Sequence, residues 1–320
     1  MYMHLTFEES ILITIIYFDR FSYPLTMMEV WHHLFLLQDR SVTVYDVRSA
    51  LEHSPFLKER IESHDGFYFL KGKKAYIPLR LDRSVIADIK YKKARIFARC
   101  IAHIPFIRFV CVCNSLGFNH AQEESDIDFF IVAKKGSMWF VRLLTTGLAH
   151  ILGQRPTSIH QKDRLCLSFY ISDDSLDISR LQLQEHNGFP DVYFSFWILY
   201  CVPLYDEQST FDAFVKENAW VRTIIPNAMF QTSEGRRMVR LTHIEHVFKH
   251  LCETICSLGT SLLEGSVKKF QLRLLPKRLK DASLKGDGGV LIEDTILKLH
   301  PIDRREEIRT QVWERFQSNI

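Results

Sequence analysis

Two carboxylates, Asp126 and Asp128, stand two positions apart at the start of an apolar run that is typical of a β-strand. Side chains alternate between the two faces of a strand, so both carboxylates project to one side and Ile127 to the other. Neighbouring carboxylates repel each other unless a cation lies between them. Mg²⁺ suits that position because it prefers a few carboxylate oxygens together with substrate phosphates. The alternative is an acidic pair at an exposed strand end, held by the amides of a turn.

Ser115 is the next candidate, eleven positions before Asp126. Two apolar runs, 107–113 and 127–133, flank the polar loop that contains it, which predicts two neighbouring buried strands. At the end of the first strand, the Ser115 hydroxyl and the loop N–H groups would meet a phosphate that arrives with the metal. The spacing therefore predicts a metal and phosphate site between two strand ends.

The segment that joins Asn114-Ser115 through a loop to Ser125-Asp126-Ile127-Asp128 resembles the motif of the nucleotidyltransferase superfamily with the polymerase-β-type fold. That family's motif is Gly-Ser, a loop, and Asp-x-Asp or Asp-x-Glu on the next strand, and its minimal antitoxin-type and aminoglycoside-type members have a similar spacing from the Ser to the first Asp. The resemblance covers 107 to about 174 and implies a small mixed-sheet core. It also implies that Asp126 and Asp128 hold Mg²⁺ and that Asn114 and Ser115 bind the phosphates of a nucleoside triphosphate. The implied reaction transfers a nucleoside monophosphate to a hydroxyl acceptor.

The chain departs from that family pattern in the loop and on a later strand. Asn114 and Asn119 stand where the family has glycine, although Asn tolerates a left-handed backbone better than most residues. Active members place another acidic residue on a later strand, whereas 165–171 contains none and offers Cys166 and Ser168 at inward positions. Either a flanking carboxylate acts as general base, or the site binds without full activity. The flanking candidates are Asp163, Asp173 and Asp174.

Residues 1–78 show three helix starts followed by a hairpin. The helix starts are Thr6-x-x-Glu9, Thr26-x-x-Glu29 and Thr43 with Asp46. Asp65-Gly66 between two strand-like runs predicts the hairpin. This order resembles a winged helix-turn-helix, whose third helix normally enters the DNA major groove and here carries Arg48. The alternative is a module for protein contact or substrate presentation, since winged helices serve those roles too.

The predicted fold class is α+β, in three parts. We expect a winged-helix domain over 1–78, a nucleotidyltransferase core over 79–185 and a helical C-terminal domain over 186–320. In the last part, a helix face of satisfied or exposed histidines is favoured over a zinc site, whose ligands usually come from separate elements. Those histidines are His243, His246 and His250, with Cys252 and Cys256 nearby. The basic, Gly-containing stretch 265–288 is typical of a loop.

Length and composition place the chain among ordinary globular proteins. Its 320 residues suffice for two or three domains, and 47% hydrophobic with 25% charged residues is a normal balance. A net charge of +3 says little about partners. Seven cysteines without a secreted-scaffold spacing, and no evident signal peptide, predict free thiols and a cytoplasmic location. Prolines and Asp191 interrupt the run 189–205, so we expect a buried helix there and no membrane association.

The leading hypothesis is a Mg²⁺-dependent nucleotidyltransferase that uses a nucleoside triphosphate as substrate, with DNA or tRNA as a further candidate partner. Antibiotic, protein side chain and RNA 3′ end all stay open as the acceptor, as does the oligomeric state. The rival hypothesis is a nucleotidyltransferase-fold protein with weakened catalysis. Such a protein would act as a winged-helix DNA-binding regulator or an antitoxin-like interaction module.

Overall fold

The structure is a computed structural model of the chain, and it describes residues 3, 5–37, 41–157, 160–232, 235–285 and 288–320. It combines helices and strands, so the predicted α+β class is confirmed at that level. Among the described residues, no helix has both the length and the apolar content needed to cross a membrane.

The N-terminal part contains the predicted helix starts and the predicted hairpin. Thr6, Thr26 and Thr43 each form a complete capping box with the residue three positions on, which confirms the three predicted helix starts. The hairpin turns at Asp65–Gly66, and a short first strand joins it in the order β1-β3-β2. The elements are α1 (Phe7–Asp19), β1 (Leu25–Thr26), α2 (Met27–His33), α3 (Val44–His53), α4 (Pro55–Lys58), β2 (Ile61–His64) and β3 (Phe67–Leu70).

The middle of the chain supplies the centre of a mixed sheet. Its elements are α5 (Tyr76–Ile101), β4 (Ile107–Val112), α6 (Asn114–Gly117), β5 (Ile127–Ala133), α7 (Met138–Ile151) and β6 (Leu165–Ser172). Strand β5 pairs antiparallel with β4 and parallel with β6. The two strands predicted around the polar loop are therefore neighbours in the sheet.

The C-terminal part adds strands as well as helices, which corrects the prediction of a purely helical region. Its elements are α8 (Val192–Leu199), β7 (Val202–Asp206), α9 (Thr210–Glu217), α10 (Val221–Ile224), α11 (His243–Leu274), α12 (Lys277–Lys285), β8 (Val290–Ile292), β9 (Ile296–Leu299) and α13 (Arg305–Gln317). Three of the six strands in the order β7-β4-β5-β6-β9-β8 come from here. The sheet thus crosses the boundary predicted at 186.

Two stretches were predicted wrongly in this C-terminal part. The apolar run 189–205 is not one helix, because it divides into α8 and the edge strand β7. The basic stretch 265–288 is not a loop, since the end of α11 and all of α12 lie within it. In the first of these, apolar content alone does not distinguish a short buried helix from a strand.

The two faces of the sheet pack against different helices. One face carries Phe109, Cys111, Phe130, Val132 and Phe169 and shares a hydrophobic cluster with residues of α1, α8 and α13. The other face carries Val110, Ile127, Phe129, Ile131 and Tyr170 and packs with residues of α5 and α7. Aromatic contacts such as Tyr17 stacked on Phe196 join the N-terminal helices to the first face. The first face is also the side to which Asp128 points, because it alternates with Ile127 and Phe129.

Candidate active site

Asp126 and Asp128 come together with Cys166 where β5 and β6 begin. Asp128 pairs with Cys166 in the parallel register of the two strands. The ligand atoms of these three side chains all lie within 4.8 Å of one another. The alternation of strand side chains explains why the two carboxylates meet. Their neighbour on the next strand is a thiol rather than the third carboxylate that the family resemblance implies.

The electrostatics of the acidic pair favour a cation. Burial and the charge of Asp128 raise the pKa of Asp126 to about 6. Burial raises the pKa of Asp128 as well, although hydrogen bonds from Asn114 and Cys166 partly offset that shift. Among the described residues, no Lys, Arg or His nitrogen lies within 4.0 Å of either carboxylate. The pair is therefore crowded, desolvated and without a cation in direct contact, although Lys90 and His300 act on Asp126 from farther away, and a divalent cation would relieve the repulsion.

Cys166 acts as a hydrogen-bond donor in this cluster. Burial, followed by the charges of Asp128 and Asp126, raises the pKa of the Cys166 thiol well above its ordinary value. The thiol is therefore protonated at neutral pH, and it donates to Asp128. It also lies 3.2 Å from the Ser168 hydroxyl, as expected for two inward positions of one strand.

Asn114 and Asn119 both adopt the left-handed backbone conformation that glycine would otherwise supply, with φ of 55° and 53°. At the start of α6, the Asn114 side chain reaches Asp128, so the loop and the acidic pair are in direct contact. Ser115 lines a neighbouring apolar cavity of about 300 Å³ together with Phe18, Phe118 and Tyr193. The structure thus brings Asn114 to the carboxylates, whereas Ser115 lines the apolar cavity and shows no contact with them.

A larger cavity of about 420 Å³ opens next to Asn114, between α8 and the start of α13. Cationic side chains outnumber acidic ones in its walls. Only Arg304 among them lacks an ion pair within the described residues, since acids such as Glu307, Asp303 and Asp191 pair with the others. The cationic side chains are Arg20, Lys298, Arg304 and Arg305, and the one acidic side chain among the lining residues is Asp303. Aromatic side chains complete the walls: Phe21, Phe169, Tyr193, Phe194 and Trp197. A cavity with this lining suits an anion that also carries a ring.

His300 is a site residue that the sequence reasoning missed. It follows β9, and its Nε2 lies 2.8 Å from the Ser168 hydroxyl. Burial and the charge of Lys298 lower the pKa of His300 to about 4, so its imidazole is neutral at pH 7. It is close enough to Asp126 for each to shift the pKa of the other. Finding it required knowing that 296–299 forms a strand beside β6, which the sequence pattern did not show.

The structure disfavours all three candidate general bases, because Asp163 is occupied by other side chains and Asp173 and Asp174 lie far from the acidic pair. Hydrogen bonds from Lys90 and Lys93 occupy both oxygens of Asp163 and, against the effect of burial, lower its pKa. Asp173 and Asp174 follow the far end of β6, about 25 Å from its start by strand rise. Lys135 binds both of them there. Asp173 and Asp174 therefore flank the opposite end of β6 from the acidic pair, which disfavours both as general bases for that pair.

No family model, curated protein or solved structure matches this chain. A functional assignment therefore rests on the chemistry of the site: two buried carboxylates, an asparagine from a left-handed turn, a neutral histidine and a cationic, aromatic cavity.

Proposed function

We propose that this chain is a Mg²⁺-dependent nucleotidyltransferase that moves a nucleoside monophosphate from a nucleoside triphosphate to a hydroxyl acceptor. The observation that carries the proposal is the pair Asp126 and Asp128, whose pKa values are both raised and which has no cationic partner among the described residues. The neighbouring cationic cavity supports it, because a triphosphate is the anionic half of a magnesium complex. Within the α+β fold, the core of this activity would be the strands β4, β5 and β6 with α6 and α7.

The donor set fits magnesium. Asp126 and Asp128 would hold the ion through carboxylate oxygens, which hard cations prefer. The protonated Cys166 thiol is a poor ligand for such an ion and instead orients Asp128 by its hydrogen bond. When bound, Mg²⁺ would neutralise charge that develops on the transferring phosphoryl group.

The remaining groups bind and orient the substrate. Arg20 and Arg304 line the cavity and would attract the negative phosphates. The aromatic side chains Tyr193 and Phe169 offer flat apolar surfaces for a base. Asn114 would position the phosphates at the turn, as the family resemblance implies. Because transfer at phosphorus depends mainly on positioning and electrostatic stabilisation, the absence of a third carboxylate here does not exclude activity.

The direct test is calorimetric titration of the intact protein with MgATP, MgCTP, MgGTP and MgUTP. We expect at least one to bind, and we expect Asp126→Asn/Asp128→Asn to weaken that binding at least tenfold because the metal loses its ligands. Asp82→Asn, at an exposed position of α5, is the matched control and should leave the affinity unchanged. Absence of binding by the intact protein, or equal binding by the double variant, would refute the proposal.

The second candidate function is DNA binding by the N-terminal part, favoured by its three capped helices and hairpin. The basic residues that would face DNA are partly engaged within the chain. On α3, Arg48 pairs with Glu52, and beyond it Arg60 binds the carbonyl of Asn319. Because the other basic residues lie outside α3, the helix that would enter the groove, we rank this function second. Those residues, which have no ion pair among the described residues, are Lys58, Lys71, Lys73 and Lys74.

A gel shift with random duplex DNA at several salt concentrations separates the two functions. We expect weak or no binding at physiological salt. A shift that weakens steeply with salt and is reduced by Arg48→Ala would instead indicate phosphate contacts and favour the regulator.

A further inference from the structure

A second cluster of metal-ligating side chains lies at the other end of the sheet. Glu207 directly follows β7, and His246 and His250 lie one turn apart on α11. One ligand atom from each of the three lies within 4.8 Å of the others. Asp206, the residue before Glu207, pairs near the start of β4, and that part of β4 lies beside the end of β5. Asp126 precedes the start of β5 and so lies at the opposite end of that strand. The two clusters are therefore separate.

Glu207 presents an oxygen that lacks a partner. Its side chain is only 4% exposed, and its Oε2 accepts hydrogen bonds from Lys249 and from the Tyr205 hydroxyl. Its Oε1 has no hydrogen-bond partner among the described residues and lies 3.7 Å from His250 Nε2. A buried carboxylate oxygen is seldom left unsatisfied, so this atom points to a missing ligand on the histidine side.

We propose that Glu207, His246 and His250 bind a borderline transition-metal dication such as Zn²⁺. Two imidazoles and one carboxylate are a known zinc donor set, and bonds of about 2.0–2.1 Å place tetrahedral ligand atoms roughly 3.3 Å apart. The three ligand atoms already lie within 4.8 Å of one another, so side-chain rotations have to bring each pair closer by at most about 1.5 Å. His250 is exposed, so solvent can fill the fourth position. The ion would cross-link α11 to the residue that follows the edge strand β7.

Two cations near this cluster lie on the Oε2 side of Glu207, where Arg108 approaches that oxygen at 3.6 Å, whereas Oε1 faces His250. Lys249 faces Glu207 Oε2, and the Arg108 guanidinium binds both oxygens of Glu253. Asp173 approaches Arg108 at 4.0 Å as well. The cluster therefore carries no excess positive charge before the metal enters.

Titration of the full chain with Zn²⁺, and with Co²⁺ as a spectroscopic probe, tests this site. The Asp126→Asn/Asp128→Asn background removes the first cluster. We expect one binding event to persist there, to weaken at least tenfold with His246→Ala or His250→Ala, and to be unchanged by the control His243→Ala on the same helix. Circular dichroism of each variant verifies folding. No event in that background, or an event that neither histidine variant weakens, would overturn the site.

A different observation concerns the outward face of α11, which is apolar although the fully buried side chains of this helix are polar. Every described α11 side chain that is buried is polar: Lys249, Glu253, Thr260 and Gln271. The outward face carries six large apolar side chains, each between 55% and 81% exposed: Ile244, Val247, Phe248, Leu251, Ile255 and Leu262. Cys256, Val267 and Leu272 do pack inward, but they are only partly buried, so α11 exposes more large apolar side chains than it buries, unlike the usual surface helix.

We infer that this face packs against the same face of a second copy of the chain. The six side chains recur at spacings of three, four and seven residues, which forms a seam suited to another helix. With 55–81% of each side chain exposed, they leave on the order of several hundred Å² of apolar surface, comparable to the ~800 Å² per partner in a stable interface. Lys249 and Glu253 are buried on the inward side, so the seam carries no Lys, Arg, Asp or Glu between 246 and 263. Two copies of the seam can therefore pack together without repulsion between like charges. Helices that lie on membranes carry exposed Lys and Arg along the polar flank, whereas between 243 and 262 the one such residue of α11 is the buried Lys249.

Light scattering on the full chain at micromolar concentration tests this interface. We expect a dimer for the natural sequence, a monomer for Leu251→Lys/Ile255→Lys, and a dimer for the control Ile151→Lys, since Ile151 is 82% exposed but lies on α7. A monomeric natural protein would overturn the proposal. Flotation of that monomer with phosphatidylglycerol vesicles would then assign the face to a membrane surface.

Discussion

At the scale of single residues, the acidic pair is held in a state that costs the folded protein stability. Burial and the charge of Asp128 raise the pKa of Asp126 from 3.8 to about 6. The folded state therefore holds this proton more tightly than the unfolded chain. Protonated Asp126 thus contributes its full stabilisation of the folded state below about pH 4, and this contribution is lost as the pH rises through about 6. At neutral pH, ionised Asp126 destabilises the folded state unless a bound cation offsets its burial and its repulsion from Asp128.

Asp126→Asn should consequently stabilise the metal-free protein at pH 7.5, by about 1–3 kcal/mol for a two-unit shift at a partly exposed group. The gain should shrink toward zero near pH 4, where the natural side chain is protonated. Thermal melts at both pH values measure this, with Asp82→Asn as the control. Added Mg²⁺ should raise the Tm of the natural protein and leave the Tm of the variant unchanged. A loss of stability at both pH values would mean that the Asp126 carboxylate instead supports the fold.

At the scale of secondary-structure elements, α6 depends on a close approach by the end of α8. A Cβ at Gly117 would lie 2.1 Å from the carbonyl oxygen of Tyr200. The next residue, Phe118, stacks on the Tyr200 ring with centroids 3.8 Å apart. The turn that presents Asn114 is thus fixed by backbone contact rather than by its own short helix.

Gly117→Ala should therefore destabilise the protein by about 3 kcal/mol or more, because backbone atoms must move to admit the methyl group. Chemical denaturation measures the change. The matched control is Gly147→Ala within α7, where a Cβ meets nothing within 4 Å and helix propensity favours alanine by about 1 kcal/mol. Equal effects of the two substitutions would contradict the tight packing at Gly117.

Local signals explain which elements were predictable. The capping boxes, the Asp65–Gly66 hairpin and the strands around the polar loop are specified by residues close in sequence, and all are present. Strand β9 and His300 were not predictable, because β9 joins the sheet by pairing with β6 more than 100 residues earlier. The cavity was missed for the same reason, since its cations come from opposite ends of the chain.

At the scale of the whole molecule, distant segments assemble the candidate site. The end of α1 supplies Arg20, β4 leads into Asn114, and the segment before α13 supplies His300 and Arg304. Ion pairs such as Arg315 with Asp19 join α13 to α1 beside this cavity. An anion in the cavity and a cation on the carboxylates would lie next to each other, so each should strengthen the binding of the other.

The most direct measurement of this coupling is electron paramagnetic resonance of Mn²⁺, used in place of Mg²⁺, titrated with and without a non-hydrolysable nucleoside triphosphate. We expect the nucleotide to tighten Mn²⁺ binding to the protein at least tenfold. We also expect Asp126→Asn/Asp128→Asn to abolish that gain. Mn²⁺ binding that is indifferent to both the nucleotide and the two carboxylates would contradict it.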